Sequence, residues 1–242
     1  MNKKIKVLVI GDSCIDNFVY CDIDRLCPEA PVPVLQPVNT ITNSGMAGNV
    51  ARNLVALGAE VDLITNKINI RKTRYIDNKS GQMIMRLDED DKCDAYTESE
   101  HSKRYDAIVI SDYNKGFLSV SDIEKLLNID YMCLTFIDTK KKLSKFAHDA
   151  DFIKINKPEW DNNCDYDGDN VIVTDGKNGA TYNGKHYPVK KEVNVSNVSG
   201  AGDTFLAGLV YSYTRHHDIN NAINFANDCA SKVVQERGVT SI

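Results

Sequence analysis

Short apolar runs that end on polar side chains recur along the chain and set its rhythm. IKVLVIGD (5–12), EVDLIT (60–65), DAIVIS (106–111), MCLTFID (132–138), DFIKIN (151–156) and NVIVTDG (170–176) have the length and β-branched content of buried strands. Helical spacing appears between and after them. Ala47, Val50, Ala51, Leu54 and Leu57 share one face of a helix over 46–59, which Gly58 stops. Ser121 and Glu124 form a capping box that opens a helix running to about Asn128. A helix is predicted over 201–214. Another begins at Asp218, with Ile219, Ala222, Ile223, Ala226, Ala230 and Val233 on one face. Strand, helix, strand in this order is the α/β class with a mostly parallel sheet. The strands end at Asp12, Ser111, Asp112, Asp138, Asn156 and Thr174, and such sheets bind ligands beyond their carboxyl ends.

Two segments break the rhythm. Residues 17–38 carry prolines at 28, 31, 33 and 37, which argue against helix and against a central strand. Residues 72–88 read as two short strands around an Asn78–Gly81 turn. Together they predict a small separate sheet, a plausible lid beside a ligand-binding core. The 242 residues suit one domain, with lid segments at about 13–43 and 70–88 inserted in it.

Charge narrows the choice of partners. A net charge of −5 gives no basic footprint for nucleic acid or an anionic membrane, and Lys140, Lys141 and Lys142 read as a solvated face. No run approaches the roughly 18 apolar residues of a membrane span. The seven cysteines show no CxxC spacing, so a zinc site is not expected. Their odd number suggests reduced thiols and a cytoplasmic protein. His216 and His217 read as a surface pair.

Chemistry concentrates in NVSGAGDTF (197–205). There is no GxxxxGK[ST] and no G-x-S-x-G, and GAGDTF lacks the third glycine of a dinucleotide fingerprint. What remains is Gly200, Ala201 and Gly202 ahead of an apolar helix, with Asp203 in its first turn. Such N–H groups converge on an anion, and the carboxylate can take a proton from a hydroxyl, which suits phosphoryl transfer to an alcohol. The same residues also suit an ordinary helix start with an acidic first turn, and this stretch alone leaves the two readings open.

NVSGAGDTF resembles the C-terminal signature of the PfkB (ribokinase-like) carbohydrate kinases. SGMAGNVARNLVALGA (44–59) resembles their Gly-Gly motif, NKPE (156–159) their N-x-x-E motif, and VTDGKNGA (173–180) the strand and loop beside the nucleotide. GDSCIDNFVY, RLCPEAPVPVL, SDYNKGFL and IDTKK are similar to the heptose 7-phosphate kinase subfamily. The resemblance implies a ribokinase-like three-layer α/β/α sandwich with a small β lid. It implies ATP and Mg²⁺ as cofactors, and phosphorylation of D-glycero-D-manno-heptose 7-phosphate at its anomeric hydroxyl. Asp203 would be the base, and Gly200, Ala201 and Gly202 the anion hole. Asn156 and Glu159 would hold Mg²⁺ through water, with Lys157 and Pro158 on the ATP side. Thr174 and Gly176 would border the nucleotide and Asn227 the adenine. Asp12, Asp16, Gly45 and Asn49 would bind sugar hydroxyls, and Lys72 and Arg74 the 7-phosphate.

The chain also departs from that pattern. Met46 stands in place of the second glycine, and Asn197 in place of an aspartate. A helix and strand pair are missing between Thr65 and Lys72, and a helix after Trp160, which is expected to expose sheet surface. Two alternatives therefore stay open: a kinase of another sugar or a nucleoside, and a binding protein with impaired catalysis. Open lid edges make a homodimer through the lid sheet a further expectation.

Overall fold

The computed structural model describes residues 4–97, 104–129, 133–190, 198–235 and 242. In chain order the strands are β1 (Lys6–Gly11), β2 (Ser13–Asp22), β3 (Gln36–Met46), β4 (Glu60–Ile64), β5 (Ile70–Asp77), β6 (Met83–Glu89), β7 (Ala107–Asp112), β8 (Leu134–Thr139), β9 (Phe152–Asn156), β10 (Val171–Thr174), β11 (Ala180–Tyr182) and β12 (Lys185–Tyr187). The helices are α1 (Ala47–Ala56), α2 (Val120–Leu127), α3 (Lys157–Asp161), α4 (Ala201–His216) and α5 (Ile219–Val233).

The main sheet has the order β12-β11-β10-β9-β8-β7-β1-β4 and is parallel from β10 to β4. Val7, Val9, Val109, Phe136 and Phe152 turn to one face and meet Val50 and Leu54 of α1, Leu206 and Leu209 of α4 and Ile223 of α5. Leu8, Ile10, Ile108, Ile110, Ile137 and Ile153 turn to the other. There they meet Ile123, Leu126 and Leu127 of α2 and Phe146 of a 3₁₀ turn. Both faces are covered, so these strands read as continuous apolar runs without alternation. Three layers result, as the resemblance implied.

The second sheet has the order β3-β2-β5-β6. It corrects one expectation. The prolines do not keep 17–38 out of a central strand, because β2 runs to Asp22 and pairs with both β3 and β5. Pro28, Pro31 and Pro33 fall in the loop between β2 and β3. Pro37 sits on the edge strand opposite Cys21, next to a register shift, where a missing donor is tolerated. The turn at 78–81 joins β5 and β6 as expected.

Local signals account for most element ends. Gly58 stops α1 at φ +98, and Asp218 caps α5 by accepting from Asn221 N at 3.1 Å. The capping box of α2 lies two residues earlier than the sequence suggested. Ser119 Oγ accepts from Asp122 N at 3.1 Å, and Asp122 accepts from Ser119 N at 2.8 Å. The earlier start lets the helix follow directly on the buried Phe117 and Leu118. The Asn183-Gly184 turn, with φ of 47 and 71, makes β11 and β12 a hairpin that the periodicity does not reveal.

The shortened regions are visible. Residues 65–69 form no helix, and none follows α3 before β10. The edge strand β4 is correspondingly bare, with Leu63 42% exposed. The covered side carries the stability. Leu54→Ala is expected to lower the unfolding free energy by about 2–5 kcal/mol through the cavity it leaves. Val55→Ala on the exposed side of α1 is expected to change it by less than about 0.5 kcal/mol. Denaturant titration of the two variants measures the difference.

Candidate active site

Asp203 is the centre of the site. Gly200 takes the left-handed conformation, φ 81, and turns the chain into α4. The amides of Ala201, Gly202 and Asp203 have no intrahelical partner, because the first helical bond is Thr204 N to Gly200 O at 2.9 Å. Ala201 N donates to Val198 O at 3.3 Å. The amides of Gly202 and Asp203 have no acceptor among the described residues.

Asp203 is 4% exposed. Its Oδ2 accepts from Asn49 Nδ2 at 3.0 Å, and its Oδ1 accepts from the Tyr113 hydroxyl at 2.5 Å. Burial pushes its carboxyl up to about 6, against the two hydrogen bonds and Lys154, which pull it down. Burial and the Asp203 charge push the Tyr113 phenol well above its usual range, so it stays a donor.

Asn49 is held in one orientation. Its Oδ1 accepts from Arg52 at 2.9 Å and from Asn53 at 3.1 Å, which leaves the amide nitrogen for Asp203. Its position in the first turn of α1, 0% exposed, brings α1 and α4 together at the base. Tyr113 follows β7, on a loop that Asp12 organises. The Asp12 carboxylate accepts from the backbone N–H of Tyr113 at 2.6 Å, Phe117 at 3.3 Å and Lys115 at 3.4 Å. Its two oxygens are thus occupied by the loop, where the sequence offered it to a sugar hydroxyl.

The second sheet brings Asp16, Gly45, Lys72 and Arg74 to the same side. Asp16 and Arg74 form an ion pair at 2.5 Å, and a Cβ on Gly45 would lie 2.3 Å from Asp16 Oδ2, so no larger residue fits there. The Lys72 ammonium lies 5.6 Å from the Tyr113 ring centroid, and that of Lys140, from the end of β8, lies 5.3 Å away. Met46 joins β3 to α1 with φ 58 and ψ −132, a region nearly reserved for glycine. Its side chain is buried with Cys14 and Ile70. The other departure, Asn197, lies outside the described residues.

The N-x-x-E motif proves to be the start of α3. Asn156 Oδ1 accepts from Glu159 N at 2.9 Å, and Glu159 accepts from Asn156 N at 3.2 Å. Lys157 and Pro158 form the rest of that turn, and the other Glu159 oxygen pairs with Lys140. The lysine run is a solvated face only at Lys142, which is 66% exposed. Lys141 pairs with the buried Asp112 at 2.7 Å, Lys142 with Asp165 at 2.9 Å, and all three line a cleft of about 220 Å³ beside Glu159. Thr174, Gly176 and Asn227 stand apart on the β10 side. Thr174 donates to Ile155 O at 3.3 Å, Gly176 opens a 3₁₀ turn at φ +50, and Asn227 donates to Tyr187 O at 3.0 Å.

Sequence reasoning did not single out Tyr113 or Lys154. Tyr113 lay inside a quoted motif, SDYNKGFL, without a role of its own. Lys154 lay inside DFIKIN, again without a role of its own; it is 4% exposed and paired with Asp138 at 2.7 Å. Burial lowers its proton affinity, but Asp138, with Asp203 and Glu159 nearby, more than offsets this and raises it.

The family model described as pfkB family carbohydrate kinase matches residues 111–242. The bifunctional protein HldE of a Nitratiruptor species is 29% identical over 297 residues, covering 98% of this chain and 63% of that protein. HldE of Campylobacter jejuni (strain RM1221) is 29% identical over 296 residues, covering 99% and 63%. The chain thus spans less than two thirds of the length of these curated relatives. The Methanocaldococcus jannaschii nucleoside kinase, an archaeal member of the ribokinase family, superposes with a TM-score of 0.71 at 18% identity, over 98% of this chain and 94% of that one. Escherichia coli phosphofructokinase-2 does so with a TM-score of 0.72 at 15% identity, again over 98% and 94%. With the ribokinase-like fold in place and more than half of its length matched by the family model, the chain belongs to the pfkB family of carbohydrate kinases.

Proposed function

We propose that the chain is an ATP-dependent sugar-phosphate kinase acting on the anomeric hydroxyl of D-glycero-D-manno-heptose 7-phosphate, with the 1,7-bisphosphate and ADP as products. The observation that carries this reading is Asp203, a buried carboxylate in the first turn of α4 beside two amides without acceptors among the described residues. The sugar hydroxyl takes the place of the Tyr113 phenol on Oδ1 and gives its proton to Asp203. The amides of Gly202 and Asp203 receive the charge on the transferring phosphoryl group. Asn49 fixes the carboxylate for this exchange.

The remaining residues divide between the two substrates. Lys72 and Arg74 suit the 7-phosphate, and Asp16 and Gly45 the sugar. Lys140, Asn156, Glu159, Thr174, Gly176 and Asn227 lie on the ATP side. The donors fit a hydrated Mg²⁺ better than a caged one. Among the described residues no three acidic, His or Cys side chains converge, and the Glu159 oxygens already have partners. Bound Mg²⁺ would neutralise charge on the ATP phosphates, with Asn156 and Glu159 holding it through water. The second sheet serves as a lid on one kinase domain. No helix among the described residues is long and apolar enough to cross a membrane, and all seven cysteines are free thiols. A cytoplasmic location agrees with both.

Met46 favours a second reading, a kinase of a smaller sugar phosphate, because its buried side chain stands beside Cys14 and Ile70 at the root of the lid. Release of ADP from ATP, Mg²⁺ and heptose 7-phosphate, compared with a panel of pentose and hexose phosphates, separates the two. A higher kcat/KM on heptose 7-phosphate than on any of the panel is expected. The reverse order would transfer the assignment to the smaller sugar.

Asp203→Asn is expected to cut kcat by about 10²–10⁴-fold with the fold intact, and an unchanged rate would remove Asp203 from its role. The base must be ionised, so kcat/KM is expected to fall tenfold per pH unit below about 6. Tyr113→Phe removes a hydrogen bond that favours the ionised form, so it moves this acid limb to higher pH.

The lid also suits assembly with a second copy. Its edge strand β6 exposes Met83 at 54%, Met85 at 47% and Leu87 at 43%. Sedimentation is expected to show a dimer that the Met85→Lys/Leu87→Lys variant dissociates. A monomeric parent protein would reject the dimer.

A further inference from the structure

The Lys154–Asp138 pair enters the chemistry described so far only through its charge beside Asp203, yet it sits at its centre. The two side chains come from adjacent strands, Lys154 from the middle of β9 and Asp138 from near the end of β8, and are 4% and 2% exposed. A Cβ on Gly202 would lie 2.9 Å from the Lys154 ammonium, so the cation touches the turn whose amides face the anion. Asp203 and Glu159 are both within electrostatic reach of it.

As it stands, the pair is only half satisfied. An ammonium has three protons to donate, and the acceptor for Lys154 among the described residues is Asp138 Oδ2 alone. Asp138 Oδ1 is buried without a partner among the described residues. Incomplete buried polar networks are costly, and buried ion pairs contribute little net stability compared with well-packed apolar residues. Stability therefore does not explain this pair. The electrostatics of the reaction do. Asp203, Asp138 and Glu159 make the surroundings acidic, and a helix N-terminus supplies only about half a positive charge. A phosphoryl group carrying several negative oxygens needs a full cation there.

We propose that Lys154 is a catalytic residue: a built-in ammonium, clamped by Asp138 against Gly202, that contacts the phosphoryl group in transfer. The proposal rests on the kinase reading above. In the transfer the sugar oxygen forms its bond to the γ-phosphorus, and the bond from that phosphorus to the β–γ bridging oxygen breaks. ADP leaves with the electron pair, and the sugar proton goes to Asp203. Lys154 keeps its protons throughout and only shares the charge.

The test compares Lys154→Met, Lys154→Arg, the double variant Lys154→Met/Asp138→Asn and Asp203→Asn. The single Lys154→Met leaves Asp138 buried and unpaired, which endangers folding, so the double variant is decisive. It removes both charges and is expected to melt within a few degrees of the parent. Its kcat is expected to fall about 10²–10³-fold, with KM for ATP and for the sugar phosphate each changed less than about threefold. Lys154→Arg is expected to recover at least about tenfold of that loss, which a purely structural pair would not require. A double variant with a kcat within about threefold of the parent, beside an inactive Asp203→Asn, overturns this inference and leaves the kinase reading standing. An Asp203→Asn variant as active as the parent overturns both. Calorimetry gives a readout without turnover. ADP with aluminium fluoride, a mimic of the phosphoryl group in transfer, is expected to bind the double variant at least about thirtyfold more weakly. ADP alone is expected to bind parent and variant alike, and equal affinities for the mimic would also overturn the inference.

Discussion

Asp203 is buried where a carboxylate loses most of its hydration, and the surrounding structure is arranged around keeping it usable. Left to burial alone it would hold its proton more tightly than it does. Three features act against that: the amide of Asn49, the phenol of Tyr113 and the ammonium of Lys154. Each comes from a different element. Asn49 requires α1 packed on α4, Tyr113 requires the loop tied down by Asp12, and Lys154 requires β9 beside β8. The balance leaves the carboxyl at about 6, ionised at neutral pH yet basic enough to accept a proton.

The same logic extends along the carboxyl ends of the strands. Asp112 is held by Lys141, Asp138 by Lys154 and Glu159 by Lys140, so each of these acids beside the main sheet's mouth has a lysine of its own. Such pairing lets an acidic rim face ATP and a sugar phosphate without repelling them. It also draws Lys140 and Lys141 out of the ordinary solvated surface that composition suggested, while Lys142 stays exposed.

Much of the main sheet was legible because a strand covered on both faces must be apolar at every position, and VLVI at 7–10 or IVI at 108–110 has few other uses. The placement of Asp203 was legible as well, since glycines before an apolar helix with an aspartate in its first turn have a narrow set of meanings. Two kinds of feature were hidden. The first depended on choices between near-equal local signals: Ser119 with Asp122 against Ser121 with Glu124, or a proline-rich stretch whose prolines all fall in a loop or on an edge. The second depended on contacts far apart in sequence. Nothing near Tyr113 points to Asp203, 90 residues away, and nothing near Lys154 distinguishes it from an exposed strand lysine. Only the β11–β12 hairpin left a local trace that was passed over, its Asn183-Gly184 turn.

Met46 links these two levels. Its backbone conformation costs of the order of 1–3 kcal/mol for a residue with a side chain, and burying a methionine side chain returns a similar amount. The residue is thus held in place by its packing on Cys14 and Ile70, one from each of two strands of the second sheet. It is also the cap of α1, and the next amide, Ala47 N, donates to Asp12 O at 3.0 Å. The joint between the second sheet and α1 is therefore fixed by side-chain packing as well as by backbone, where a glycine would leave it free to turn. Asn49 lies three residues beyond that joint. A shift of the second sheet that disturbs Met46 is transmitted through one helical turn to the amide that holds Asp203. The geometry of Asp203 and the position of the second sheet are thus coupled through this strained residue, beside the bridge that Arg52 makes from Asn43 of β3 to Asn49.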